Sequence, residues 1–346
     1  MKIRKIVFLM LVLAILLPAV CLADLDIHYL YVGQGDCAIL VADGEAMIID
    51  GGSAYWNRKV QSYIQKTLGI SEFRYMVATH PHEDHVGGLI SALNAAPADM
   101  MLTPVTEAAD LPMFQDLMAY AEMMGTQIVI PYEYDRFPLG KGTVTILSRR
   151  PEAWTENDLS LIIRVDYGES SFLFTGDAEE YLEYILIDNC KDLLNADVLK
   201  VGHHGSLTSG SEEFLRAVSP EYAVISSGNG NTYRHPRQDT LRKLADAGAE
   251  IFRTDLQGNV VFRTDGKVIT AETEKTAKYE SILLSPEMYL YAALPEGSYV
   301  GNRNSLKYHR LECEYGQAIS ERNLVVFENL EAVLAAGYTP CRICRP

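Results

Sequence analysis

Cations are in short supply in this chain. Lysine and arginine together number 30 against 46 aspartates and glutamates in 346 residues, a formal net charge of −16. Duplex affinity comes largely from neutralising phosphates with Lys and Arg, so this imbalance excludes a tight, nonspecific DNA-binding protein. It does not exclude a nuclease, because bound metal ions carry positive charge locally. Long apolar runs are equally scarce. One spans Ile6 to Val20, after Met1-Lys2-Ile3-Arg4-Lys5 and before Cys21-Leu22-Ala23. It is short for a membrane span, and its charged, apolar and small-residue order is that of a secretory signal. Residues 1–23 therefore read as a signal peptide and the protein as secreted. A retained anchor is one alternative. Lipoprotein attachment at Cys21 is another, although Val20 stands where a small residue is expected. Cleavage removes Lys2, Arg4 and Lys5, leaving 27 basic against 46 acidic residues and a net charge near −19. No repeat, low-complexity tract or basic run appears.

Cysteine is sparse, with six in the chain. Cys37 falls on an expected strand and Cys190 at a helix end, and both read as buried thiols whose pairing is not legible. Histidine is sparse too, and its distribution is informative. Of eight histidines, three lie in Thr79-His80-Pro81-His82-Glu83-Asp84-His85-Val86-Gly87-Gly88. A polar, titratable cluster this dense needs a stabilising partner, and a divalent metal provides one. The apolar Phe73–Ala78 segment before it reads as a strand, and Leu89–Leu93 after it as a helix. The ligands then sit on a strand-to-helix loop, where open sheets carry their sites.

Strands are expected at about 26–32, 37–42, 46–50, 74–78, 127–130, 143–147, 159–166, 171–175, 197–201, 222–226, 250–254 and 259–263. Helices are expected at about 57–68, 87–95, 111–124, 178–188, 211–218 and 237–247. Strands outnumber helices, which are interspersed among them. This suits an α/β fold of two mixed sheets face to face with helices outside, an αββα sandwich. The domain limits are 25–270 for the large domain, 271–297 for a polar, proline-containing connector, and 298–346 for a small C-terminal α+β module.

The H-x-H-x-D-H order resembles the metallo-β-lactamase superfold. Ile48-Ile49-Asp50-Gly51-Gly52, Phe174-Thr175-Gly176-Asp177 and Asn231-Thr232-Tyr233-Arg234-His235-Pro236 extend the resemblance in chain order. Val32-Gly33-Gln34-Gly35-Asp36, Lys200-Val201-Gly202-His203-His204-Gly205-Ser206 and Arg253-Thr254-Asp255 resemble the soluble hydrolase domain of the ComEC competence proteins. The resemblance implies a hydrolase with two divalent ions, zinc or manganese. It implies His80 and His82 on one ion, Asp84 and His85 on the other, Asp177 between them and His235 completing the second. Asp50 would orient a ligand histidine. Relatives often supply a further histidine between the loop and the bridging aspartate, yet none occurs from Val86 to Gly202. His203 or His204 replaces it, or water does, or the first ion is weakly held. Asn157, Asp158 and Ser160 lie in the corresponding region and could offer oxygen.

His203 and His204 end an apolar segment. On a strand, neighbours face opposite sides, so one of the two would reach the metals and the other pack or act as general acid. The expected catalytic residues are Asp84, His204 and His203. His28 reads as structural. Lys200, Arg234 and Arg237 flank the site and would hold a phosphate, or else are ordinary solvated charges.

His309, Cys313, Cys341 and Cys344 give H-x3-C and C-x2-C, a spacing that fits one structural zinc; a disulfide is the alternative for an exported chain. The surrounding residues resemble the metal-binding domain of the Ada DNA-repair protein. Its methyl-accepting cysteine corresponds to His309 here, which argues against methyl transfer. From Ser298 onward six basic residues face five acidic ones, a weakly basic balance that favours nucleic-acid contact. The expected function is a secreted phosphodiester hydrolase, most simply a DNA nuclease. DNA or another phosphodiester is its substrate, a membrane DNA-uptake machinery a candidate partner, and nothing requires an oligomer. The alternatives are a small-molecule hydrolase of lactones, thioesters or cyclic phosphodiesters, and a non-catalytic binding protein with a degenerate metal site.

Overall fold

The computed structural model describes residues 24–108, 110–149, 155–286, 294–295, 297–311, 313–317, 319 and 323–346. The expected signal peptide and Met288–Tyr291 of the connector lie outside the described residues. Among the described residues, no helix is long and apolar enough to cross a membrane.

Two large sheets form the body. The first has eight strands in the order Ile269–Thr273, Val260–Thr264, Leu25–Tyr29, Ala38–Ala42, Glu45–Ile49, Phe73–Val77, Ala98–Leu102 and Gln127–Val129. The second has seven, in the order Glu250–Arg253, Tyr222–Ile225, Val198–Lys200, Ser170–Phe174, Ile162–Tyr167, Gly142–Ser148 and Arg136–Leu139. Side chains alternate faces along a strand, and this alternation sorts the core into layers. Ala38, Leu40 and Ala42 join Phe172, Phe174 and Phe252 between the sheets. Ile39 and Ile48 turn outward onto Leu89, Phe114 and Leu117 of the helices Leu89–Ala95 and Pro112–Met123. Leu173 and Leu199 of the second sheet turn outward onto Leu182, Leu215 and Leu241 of three further helices. The expected αββα sandwich is the fold observed.

The sequence reading misses Ala98–Leu102, Arg136–Leu139 and Ile269–Thr273. The last two are sheet-edge strands, and the last is mostly exposed and polar, so it carries no apolar alternation. Ala98–Leu102, short and carrying Asp99, follows its helix almost without a break. The expected helix 57–68 divides into an α-helix over Asn57–Ser62 and a π-turn over Tyr63–Leu68.

The expected boundary at 270 cuts a strand, because residues 271–273 complete the edge strand Ile269–Thr273 of the first sheet; further on, the connector packs on the second sheet. Fully buried Arg253 donates to the carbonyls of Ile282 and Leu284 and pairs with Asp255 at 2.6 Å. The C-terminal residues build a third sheet in the order Leu324–Phe327, Tyr299–Asn302, Lys307–His309 and Thr339–Pro340. Its apolar clusters are small: Tyr308, Phe327, Val333 and Tyr338 in one, and Val300 with Ile319 in the other.

Candidate metal centre

The titratable residues converge because several neighbouring strands are parallel. Glu45–Ile49 runs parallel to Phe73–Val77, and Ser170–Phe174, Val198–Lys200 and Tyr222–Ile225 are mutually parallel. Asp50, His80, Asp177 and the His203–His204 pair follow four of these strands at their C-terminal ends. Both sheets thus deliver their loops to one edge, as open α/β sheets do. Glycine permits the close approach. The loops Asp50–Gly52 and His85–Gly88 exchange the bonds Gly51 N to His85 O at 2.6 Å and Gly88 N to Gly52 O at 2.8 Å. A Cβ on Gly88 would stand 2.0 Å from the Gly51 carbonyl oxygen.

Asp177 is the hub. His80, His82 and Asp177 form one group of potential ligands, and Asp36, His85, Asp177 and His204 form another. In the first, His80 Nε2 and His82 Nδ1 face each other at 3.1 Å, with Asp177 Oδ2 3.9 Å from His80 Nε2. Ser160 Oγ receives the Asp177 backbone N–H at 3.0 Å and stands 3.4 Å from His80 Nδ1, so it braces both residues. In the second, His85 Nδ1 donates to Asp50 Oδ2 at 2.8 Å. Asp50 also accepts from the Thr79 N–H and hydroxyl at 2.9 and 2.7 Å, so the expected orienting role has its geometry. The far nitrogen, His85 Nε2, is 3.2 Å from Asp177 Oδ1. The two are close but misaligned, and neither makes a hydrogen bond among the described residues.

His204 extends the centre. Its Nδ1 donates to the Ser226 carbonyl at 3.1 Å and lies 3.1 Å from Asp36 Oδ1. Its Nε2 faces Asp84 Oδ2 at 3.2 Å and Asp177 Oδ2 at 3.4 Å. The strand-alternation argument for His203 and His204 does not hold. Both residues lie beyond the strand, in left-handed backbone at φ 45° and 54°. This turn aims buried His204 inward and leaves His203 at the rim, with Nδ1 3.2 Å from Glu179 Oε1 and Nε2 3.9 Å from Asp177 Oδ2. His235 stacks near Tyr233, with ring centres 5.8 Å apart, and its buried Nδ1 has no hydrogen-bond partner among the described residues. It belongs to neither group of potential ligands, although its ring centre lies 5.5 Å from that of His203.

Charge follows this geometry. Burial disfavours a charged His85, but Asp177 and Asp50 outweigh it and hold the imidazole well above its ordinary range. Burial likewise opposes charge on His204, and Asp177 and Asp36 reverse that. Burial pushes Asp84 up, yet the His204 hydrogen bond and the His85 charge hold it far below the usual carboxylate range. Burial drives His235 down to about 3, helped by His204 and His203. The unmet His85 Nε2 and Asp177 Oδ1 lie beside the facing nitrogens of His80 and His82, and a divalent cation would satisfy all four by displacing the imidazole protons.

Asp36 is the residue that sequence reasoning missed. It sits in the Gly33-Gln34-Gly35-Asp36 turn, whose Asp36 N–H donates to the Asp84 carbonyl at 3.1 Å. Its place in a glycine-flanked phrase was the available signal. Two other expectations are corrected. Lys200 cannot hold a phosphate, because it is buried and its Nζ binds Asp36 at 2.6 Å and the Val201 carbonyl at 2.8 Å. Asp158 offers no oxygen to the centre; it accepts from the Glu179 N–H at 3.2 Å. Asn157 lines the cleft and reaches Glu179. Arg234 donates to the Ile319 carbonyl at 3.1 Å, joining the site loop to the C-terminal sheet. His28 is buried against the Tyr63 hydroxyl at 3.1 Å, away from the centre.

In the C-terminal sheet His309, Cys313, Cys341 and Cys344 gather as a third group, with His309 Nδ1 3.3 Å from Cys313 Sγ. The three thiols form no disulfide, and neither do buried Cys37 and Cys190.

Fold and centre together are those of a metallo-hydrolase, and the chain belongs to the metallo-beta-lactamase superfamily, whose profile matches residues 30–228. Within it the chain is similar to Competence protein ComA of Neisseria gonorrhoeae, 39% identical over 36% of this chain and 18% of that protein. It is 29% identical to ComE operon protein 3 of Bacillus subtilis over 71% of this chain and 34% of that protein. It is 30% identical to Recombination protein 2 of Haemophilus influenzae over 68% of this chain and 28% of that protein. The chain thus spans about a third of the latter two relatives' length. The profile of the metal-binding domain of Ada matches residues 295–346. The metallo-beta-lactamase fold protein YhfI of Bacillus subtilis aligns at 16% identity and TM-score 0.44, over 66% of this chain and 96% of that one. The superfamily implies a divalent metal, typically zinc, and the donors at both centres fit one.

Proposed function

We propose that the protein is a secreted phosphodiesterase that cuts DNA with two divalent ions, zinc or manganese, held about Asp177. The observation that carries this reading is the meeting of two ligand groups on one buried carboxylate at the floor of an open cleft of about 730 Å³. Such a pair of ions lowers the pKa of a water and neutralises charge on a phosphate. His80, His82 and Asp177 would hold one, and His85, Asp177 and Asp84 the other, with His235 beside His203 and His204 as the candidate to complete the second. Asp50 fixes the His85 ring, and Asp36 fixes His204. From that position His204 Nε2 can pass a proton to the leaving oxygen. The names of the relatives, a competence and a recombination protein, favour DNA as substrate and a DNA-uptake machinery as partner. The C-terminal zinc module would help hold the strand.

The second reading, a small-molecule hydrolase, is favoured by one observation: among the described residues lining the cleft there is no lysine or arginine. The full chain from Asp24 should be incubated with single- and double-stranded DNA and with bis-p-nitrophenyl phosphate, under manganese and under zinc, beside Asp84→Ala. DNA cleavage that Asp84→Ala loses supports the nuclease; cleavage of the small diester alone selects the second reading. N-terminal sequencing of protein from the culture medium should begin at Asp24 if the leader is cleaved.

A further inference from the structure

A phosphodiester substrate poses a problem for this cleft. Among the described residues that line it there is no lysine or arginine, and the chain as a whole is acidic. What the walls offer is aromatic. Tyr55 is 86% exposed and Tyr233 64% exposed, and both line the cleft whose floor holds His82, Asp84, Asp177 and His204. They come from opposite sheets: Tyr55 follows the Glu45–Ile49 strand and Tyr233 the Tyr222–Ile225 strand.

Both rings stand on fixed backbone. Tyr55 lies in the helical turn Ala54–Trp56, where Ser53 Oγ accepts its N–H at 3.3 Å. The Ala54 N–H donates to Glu83 Oε1 at 2.8 Å, which ties this turn to the helix bearing Asp84 and His85. Trp56 supports Tyr55 edge-on at 5.5 Å and is itself backed by Tyr31 and by the Lys59 ammonium. Across the cleft, Asn231 staples the Tyr233 loop by donating to the carbonyls of Gly228 and His235 and accepting the His235 N–H. Two tyrosines this exposed, one backed by Trp56 and the other on a loop held by Asn231, are built to receive flat faces. Unpaired bases have such faces, and stacking needs no cation.

We infer that Tyr55 and Tyr233 form a base clamp, each stacking an unpaired base on one side of the bond to be cut, so that the substrate is a strand with free bases. This deepens the phosphodiester reading and rests on it. A stacked base contributes about fivefold to 150-fold in affinity, enough for two rings to replace the missing phosphate contacts. Paired bases in a duplex present their faces only to neighbours and are refused.

The test uses the full chain with manganese and three fluorescent probes: an oligothymidylate, an abasic strand of equal length and charge, and a duplex. Anisotropy reads binding whether or not a bond is cut, and a gel reads cleavage. The oligothymidylate should bind at least tenfold more tightly than either other probe. Between 50 and 200 mM salt its affinity should fall less than tenfold, against about 10³ to 10⁵ for a protein making six to ten phosphate contacts. Tyr55→Leu with Tyr233→Leu should erase the preference for bases, while Tyr55→Phe with Tyr233→Phe should keep it. Equal binding of thymidylate and abasic strands, or tyrosine-independent binding, overturns the clamp even if DNA is cut. Base-dependent binding without any cleavage keeps the clamp and removes the nuclease.

Discussion

Asp36 and Lys200 form an ion pair of 2.6 Å sealed from water, their side chains 8% and 4% exposed. The pair holds up the centre from below, because the other Asp36 oxygen lies against His204 Nδ1. A buried pair is destabilising to break and neutral to replace whole. Lys200→Met alone should lower stability by about 3–5 kcal/mol, and adding Asp36→Asn should return most of it. Urea melts of the two single variants and the double variant measure the coupling. A single-variant loss under about 1 kcal/mol would mean that water reaches the pair.

Metal content is the direct check on the ligand groups. Native mass spectrometry should count three ions per chain, two at the hydrolytic centre and one on the cysteines. Asp177→Ala removes the carboxylate common to both hydrolytic groups, so the count should drop to one. Chelation should lower the melting temperature, since an ion at a hundred times its Kd stabilises by about 2.7 kcal/mol. A count of two in Asp177→Ala would show that the groups do not depend on a common residue.

Gly88 has no room for a side chain. Its Cβ would strike the Gly51 carbonyl at 2.0 Å, so Gly88→Ala must push apart the loops that set the 2.8 Å His85–Asp50 bond. A loss of about 1–3 kcal/mol is expected from such overpacking, together with weaker metal binding. Denaturation and metal titration read the two effects. Gly125→Ala makes a useful control, because nothing lies within 4 Å of its Cβ position, although its φ of 81° carries some strain of its own.

The C-terminal sheet has too little core to fold unaided. Among the described residues, four buried apolar side chains in one cluster and two in another are too few to outweigh the entropy of ordering the segment. Cys341→Ser should therefore lose zinc and leave residues 298–346 open to protease, while the body up to about residue 270 resists. Limited proteolysis with mass mapping decides, and an intact C-terminal segment in Cys341→Ser would show that the metal is dispensable.

Most of the sandwich was legible because its strands are buried on both faces and read as apolar runs, as Met76–Ala78 and Phe172–Phe174 do. The histidine loop was legible because ligand chemistry is local: His80, His82, Asp84 and His85 are near in sequence before they are near in space. Asp36 was not, because its role depends on a lysine 164 positions away, and nothing local marks an aspartate as buried. His204 was placed on a strand because Val198, Leu199 and Val201 are apolar, whereas the left-handed turn that aims it inward has no side-chain pattern to announce it. Lys200 looked like a surface cation for the same reason: burial of a charge is decided by its partner.

One pairing in the first sheet governs how the molecule comes into being. Leu25 lies opposite Thr264, and Tyr29 opposite Val260. A strand near one end of the body is thus zipped to one made 239 residues later in the case of Leu25. Until those residues exist, the Leu25–Tyr29 strand keeps an open, apolar edge, the kind that recruits stray strands. Pairings this distant make folding slow. The chain must reach Thr264 before the strand Leu25–Tyr29 finds its partner, and any variant that stalls short of it should aggregate rather than fold partially.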